Sequence, residues 1–199
     1  MSSKLSIVGS VTPMVVDEKK ISGAQIDIFS RLLADRIIFL GEEIDDEVAN
    51  TIVAELLFLD SASKTHEPIH MYINTPCGYV DGGLAIYDTM RMIKSPVYTT
   101  CVGHASSMGA VLMAAGEKGN RSMLKHARVM IHQPSAGYRG TQADIEISAN
   151  LLKKYKDELY DILSEHIGKP AEEIKKDSER DFWLTAEEAV QYGIADKII

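Results

Sequence analysis

Two cysteines in 199 residues, Cys77 and Cys101, form neither a C-x-x-C pair nor a zinc spacing, which points to a reducing compartment and against a disulfide or metal scaffold. No apolar run approaches the length of a membrane-spanning helix. The opening stretch MSSKLSIVGSVTP holds only the short run Leu5 to Val8, interrupted by Ser6, and makes a poor signal peptide. Excess positive charge is also missing. With 21 basic and 29 acidic residues the formal charge is −8, so binding to nucleic acid by counterion release has little to act on. No Pro/Ser/Gly-rich linker divides the chain. Phosphate loops of the forms G-x-x-x-x-G-K-Ser/Thr and G-x-G-x-x-G are absent, as is H-E-x-x-H. His66 and His70 lie four apart in a loop-to-strand region and therefore do not share a helical face. The expectation is one cytoplasmic domain over 1–199, needing no metal or cofactor, with no membrane or nucleic-acid partner. At 45% apolar and 25% charged residues it has the composition of an ordinary globular protein.

What is present is a repeated strand–turn–helix pattern. Residues 26–35 read as a helix, Ile37 to Leu40 as a short buried strand, and Asp46 to Leu59 as a helix with Val48, Ile52, Leu56 and Leu59 at helical spacing. Strand Ile69 to Ile73 runs through the turn Thr75-Pro76-Cys77-Gly78 into a helix from Gly83 to Ile93. Strand Val97 to Val102 runs through a turn at Gly103 to Ser106 into a helix from Ser107 to Ala115, closed by Gly116. A third strand, Ser122 to Ile131 with a break at its centre, ends in His132-Gln133-Pro134. A long helix from about Thr141 to Ile167 stops at Gly168 and Pro170. It serves either as an assembly surface or as an ordinary amphipathic core helix. A last helix opens on the capping box Thr185-x-x-Glu188 and ends at Gly193. Such repeats imply an α/β fold with mostly parallel strands and ligands near the strand ends.

Three segments carry residues able to do chemistry. Ser107 stands where an apolar strand meets a helix. Unpaired backbone N–H groups and the helix dipole there suit a nucleophile whose attack creates an oxyanion. Ser106 or Ser107 serves equally well as a plain N-cap. His132 closes an apolar strand and faces the end of the sheet where sites form, although a lone histidine is more often a satisfied structural residue than a base. Asp181, beside Phe182 and Trp183, suits a half-buried acid that orients an imidazole, or else a solvated charge patch with Arg180. Gly78 allows close backbone approach, so its N–H and that of Met108 form a two-donor oxyanion hole, or Gly78 merely ends a strand. The chain order Ser…His…Asp differs from the trypsin-like, subtilisin-like and α/β-hydrolase orders. Cys101 reads as a packed core residue.

The segments YINTPCGYVDGGLAIYDTM, GHASSMGAVLMAAGEKGNR, RVMIHQPSAGYRGTQADIEI and ERDFWLTAEEAVQYGIAD resemble the ClpP family of Clp protease proteolytic subunits, from about Thr12 to the C-terminus. The resemblance implies a ClpP/crotonase-type fold with a protruding helical handle. It implies a tetradecamer of two heptameric rings around a proteolytic chamber. A hexameric AAA+ unfoldase of the ClpX, ClpA or ClpC kind would consume the ATP and supply unfolded protein substrates. By position, Ser107 matches the nucleophile, His132 the general base and Asp181 the triad acid. Gly78 and the Met108 amide match the oxyanion hole, and Arg180 an inter-ring contact linked to the state of the triad. Ser135 to Gly140 with the long helix match the handle. Residues 1–12 match a removable propeptide and 13–25 the axial loop. Phe58, Tyr72, His70, Met92 and Ser122 occupy the unfoldase-docking positions. The family usually has S-P-G-G where this chain has Thr75-Pro76-Cys77-Gly78, aromatic residues where it has His70, Met92 and Ser122, and R-G-E-R where it has Ile21-Ser22-Gly23-Ala24. These departures frame an alternative: a weakly active or structural paralogue that modulates a mixed barrel with another ClpP. A crotonase-type acyl-CoA enzyme, another rival, would need neither the serine nor the histidine.

Overall fold

The computed structural model describes residues 14–16 and 25–199. Strands β1 (Met14–Val16) and β2 (Gln25–Asp27) pair antiparallel as a separate ribbon. Helix α1 (Ile28–Ala34) starts two residues later than its periodicity suggests, because the Asp27 side chain accepts from the Ser30 amide and fixes the N-cap there. Most of the stretch assigned to a propeptide and axial loop lies outside the described residues.

The main sheet is built from β3 (Ile37–Leu40), β4 (Ile69–Thr75), β5 (Val97–Ser106), β6 (Arg121–Met123) and β9 (Lys197–Ile198), in that order and all parallel. Helices α2 (Asp46–Ala62), α3 (Val80–Met92) and α4 (Met108–Ala114) connect the strands. Val97, Thr99 and Cys101 on β5, with Ile69, Met71 and Ile73 on β4, point into the core shared with these helices. Among the described residues, no helix is long and apolar enough to cross a membrane.

The break expected within 122–131 is the point where one strand becomes two. Strand β6 pairs with the first half of β5, Thr99 to Cys101, while β7 (Arg128–Ile131) pairs with its second half, His104 to Ser106. That second ladder overturns the turn expected at Gly103 to Ser106: β5 stays extended to Ser106. Gly103 is needed for clearance instead, since a Cβ there would lie 2.2 Å from Asn74 Oδ1, which accepts from the His104 amide at 3.2 Å. Gly116 is likewise no left-handed cap. Helix α4 ends on Ala115 in right-handed conformation, and Gly116 lies against Thr99. Helix α3 starts at Val80, three residues earlier than expected, because Gly82 and Gly83 sit inside it, close against Ala49 and Met108.

Helix α5 (Gln142–Ile167) opens with a full capping box on Thr141 and closes on Gly168 at φ 83°. Nothing on it is buried before Leu159, and Ile145, Ile147 and Leu151 face outward. Helix α6 (Ala171–Asp177) and strand β8 (Phe182–Thr185) follow, then α7 (Ala186–Tyr192), whose capping box joins Thr185 and Glu188 as expected. Strand β8 lies antiparallel beside β7. Near the C-terminus, the buried Arg121 and the partly buried Asp196 form an ion pair at 2.6 Å. Arg121 also donates to the Ala114 and His166 carbonyls, tying the ends of α4 and α5 to β6.

Candidate active site

Ser107 has φ 56° and ψ −119°, one of three non-glycine residues with positive φ among those described. An L-residue held there stores on the order of 1–3 kcal/mol. The surroundings impose it: the Ser107 amide donates to the Met130 carbonyl on β7 at 2.9 Å, while its carbonyl already accepts from Ala110 as the first turn of α4 closes. The chain must leave a sheet and enter a helix within one residue. Ser107 is the N-cap residue, yet its side chain makes no capping hydrogen bond. Ser107 thus holds the N-cap position through its backbone alone. The hydroxyl is held at a helix N-terminus and left unused.

His132 and Asp181 are brought together by strand register. Ile131 on β7 faces Phe182 on β8, so the next pair outward in an antiparallel ladder is His132 and Asp181. His132 Nδ1 and Asp181 Oδ1 lie 3.1 Å apart. The Gln133 amide donates to the Ser178 carbonyl at 2.7 Å, and Gln133 Nε2 donates to the Glu179 carbonyl at 2.9 Å, so the two segments are stitched beyond the strands. The expected half-burial of Asp181 does not hold in this protomer. Its side chain is 61% exposed against 25% for His132, because it lies past the end of β8. Arg180 is exposed and makes no ion pair with Asp181 or with any other described residue.

Gly78 is fixed from behind. Ile44 donates to the Cys77 carbonyl at 3.1 Å and accepts from the Tyr79 amide at 2.8 Å, a one-residue parallel bridge. In that pattern the central residue's own N–H points away from its partner strand. A Cβ on Gly78 would lie 2.3 Å from Ile44 Cβ, so packing alone demands glycine. Thr75 Oγ1 donates to the Glu42 carbonyl at 2.6 Å and holds the same turn. Met108 opens α4, so its N–H also has no intrahelical acceptor.

Gly78, Met108, Ser107 and His132 line one cleft of about 370 Å³, whose apolar wall includes Val111, Ile131, Leu159 and Leu163. Among the described residues Ser107 Oγ makes no hydrogen bond, so serine and histidine face the same cleft without being bonded to each other. Cys77 and Glu43 form part of its rim. Burial, with the Glu43 carboxylate beside it, pushes the Cys77 thiol up. Cys101 is buried on β5 and pushed up to about 11 by that burial, which matches its reading as a core residue. A hydroxyl, an imidazole held by a carboxylate and free backbone amides around one cleft are the groups that acyl transfer requires.

Of the positions expected to meet an unfoldase, His70, Tyr72 and Ser122 lie on the face of the sheet turned away from the core it shares with α2 and α3. His70 pairs with Tyr98, and Tyr72 with Thr100 and Ser122, in two rows that alternate with the core residues Met71, Ile73 and Cys101. Phe58 on α2 and Met92 at the end of α3 are strongly exposed, whereas Ser122 is only 6% exposed. The groove lined by Phe29, Ile37, Phe39 and Val48 holds none of these residues.

Residues 20–199 match the Clp protease family. An ATP-dependent Clp protease proteolytic subunit of Porphyromonas gingivalis is 51% identical over 189 residues, 95% of this chain and 85% of the relative. One of Bacteroides fragilis is 50% identical over 191 residues, 96% of this chain and 92% of the relative. The chain belongs to the Clp protease family, and its mixed α/β sheet with seven helices among the described residues is the fold that the resemblance implies.

Proposed function

We propose that the chain is a serine endopeptidase subunit of a Clp protease, with Ser107 as nucleophile, His132 as general base and Asp181 as the acid that orients it. His132 Nε2 takes the Ser107 proton as Oγ attacks the peptide carbonyl carbon. The Gly78 and Met108 amides bind the oxyanion, and the tetrahedral intermediate collapses to an acyl-enzyme as His132 protonates the leaving amine. Water, deprotonated by His132, then releases the acid and frees the serine. Asp181 fixes the tautomer that leaves Nε2 free to accept. The observation that carries this reading is the His132–Asp181 contact at 3.1 Å, set by the β7–β8 register at the cleft where Ser107 is strained and uncapped.

On this reading the substrates are unfolded polypeptides delivered by an AAA+ unfoldase of the ClpX, ClpA or ClpC kind. That partner docks at Phe58, His70, Tyr72, Met92 and Ser122 and supplies the ATP hydrolysis, so this subunit needs no cofactor. The outward apolar residues of α5 support assembly into stacked heptameric rings, with Arg180 at the ring–ring contact. Hydrolysis of a short hydrophobic fluorogenic peptide by the purified chain, compared with Ser107→Ala, tests the chemistry without an unfoldase. The expected result is loss of turnover to background, and near-normal hydrolysis by Ser107→Ala sinks the assignment.

A second reading, a weakly active or structural paralogue within a mixed barrel, is favoured by Cys77 in the cleft rim and by the unbonded Ser107 hydroxyl. It predicts that Ser107→Ala in a barrel mixed with another ClpP leaves total activity unchanged.

A further inference from the structure

The turn that presents the Gly78 amide is held by more than Ile44. It runs directly into α3, whose N-cap residue, Tyr79, makes no side-chain capping hydrogen bond. The first turn of α3 is instead held from across the molecule. The Tyr155 hydroxyl on α5 donates to Asp81 Oδ1 at 2.5 Å, joining residues 74 apart in sequence. The hydrogen bond to Asp81 pushes the Tyr155 phenol up to about 12, so it remains a protonated donor at any working pH. Tyr155, Leu159 and Leu163 are spaced four apart and share one face of α5. Leu159 and Leu163 form part of the cleft wall beside Ser107. The adjacent residue, Lys156, donates to Gln133 Oε1 at 2.9 Å, one residue beyond His132. At Tyr155–Lys156 the helix thus ties the Gly78 side of the cleft to the His132 side.

We propose that Tyr155 is a positioning residue for the Gly78 turn, acting through Asp81 to hold the start of α3 in register with the cleft wall. The inference rests on the acyl-transfer reading above. Tyr155 touches no reacting atom. Its hydroxyl fixes where α3 begins relative to α5, and with it the direction in which the Gly78 amide points.

The test is kcat and KM for peptide hydrolysis by the full chain, with assembly followed by sedimentation. Tyr155→Phe is expected to lower kcat on the order of ten-fold, since sub-ångström misplacement of an oxyanion donor acts on the transition state, with KM within about two-fold. Asp81→Ala is expected to match it, Asp81→Asn to lose less because it keeps an acceptor, and the double variant to lose no more than either single one. If Tyr155→Phe does not assemble, the Asp81→Ala and Asp81→Asn pair, on the other helix, carries the comparison. Unchanged kcat in assembled Tyr155→Phe, or fully additive losses, overturns the inference. Turnover surviving in Ser107→Ala sinks the underlying reading instead. A dead Ser107→Ala beside a Tyr155→Phe that works like the parent sinks this inference alone.

Discussion

Gly78→Ala is the most demanding test of how the oxyanion turn is built. The added Cβ would stand 2.3 Å from Ile44 Cβ and 2.9 Å from both the Ile44 Cα and its carbonyl oxygen, where ordinary contact begins near 3.4 Å. The turn must therefore retreat by about 3.4 − 2.3 = 1.1 Å, since Ile44 is itself fully buried and bonded to Cys77 and Tyr79. Displacement on this scale is expected to cost about 100-fold in kcat, by taking the Gly78 amide off the line of the developing oxyanion. Overpacking of this kind also costs about 1–3 kcal/mol, which for a chain of this size lowers the melting temperature by about 2–12 °C. Shortening the neighbour should not help, because Ile44→Ala keeps the Cβ and the backbone atoms that clash. The assay is peptide hydrolysis at saturating substrate together with thermal unfolding, for Gly78→Ala and for Gly78→Ala with Ile44→Ala. A Gly78→Ala enzyme with kcat within three-fold of the parent and an unchanged melting temperature refutes the argument. Rescue by Ile44→Ala refutes the part of it that assigns the clash to the Ile44 backbone.

Other consequences concern the C-terminal staple. Arg121→Met leaves Asp196 partly buried without its cation and is expected to destabilise by about 3 kcal/mol, whereas Arg121→Met combined with Asp196→Leu should lose less, as urea unfolding can show. Burial chiefly holds the His166 imidazole below its ordinary value, and the ring sits 3.1 Å from the Tyr87 hydroxyl. The unfolded chain then binds the proton more readily. This contribution to stability is complete above about pH 6.5 and is lost as pH falls through the lower folded value. His166→Gln should flatten that part of the stability–pH curve; an unchanged slope contradicts the burial argument.

Most of the framework was legible because hydrophobic period and cap chemistry are local. The Thr185–Glu188 box, the Gly168 stop and the period of Asp46 to Leu59 each appear in the fold with small shifts. What escaped depended on partners distant in sequence. Gly103 to Ser106 looks like a turn until β7 arrives to pair with it. Strand β8 is four residues long and half-exposed, so its period is too short to read; the aromatic pair Phe182–Trp183 just before a capping box was the signal available. Ser107, His132 and Asp181 were nameable from residue type and position, but the feature that joins the last two, a strand register, belongs to the pairing and not to either segment. Nor could the sequence show that Gly78 is compelled by Ile44, or that Tyr155 reaches Asp81.

The antiparallel β7–β8 pair also has a topological consequence. His132 and Asp181 are the open ends of a ladder, so the 49-position separation between them is a single excursion whose feet are clamped side by side. The ends of that excursion reach the cleft, through Pro134 and Ser135 on one side and Leu159 to Leu163 on the other. The outer stretch, from Ala136 to Leu152, buries nothing within the protomer. None of those residues takes part in the β7–β8 pairing that holds the two feet together. The same chain can thus vary what it presents at the far end of α5 while its chemistry stays anchored by two short strands.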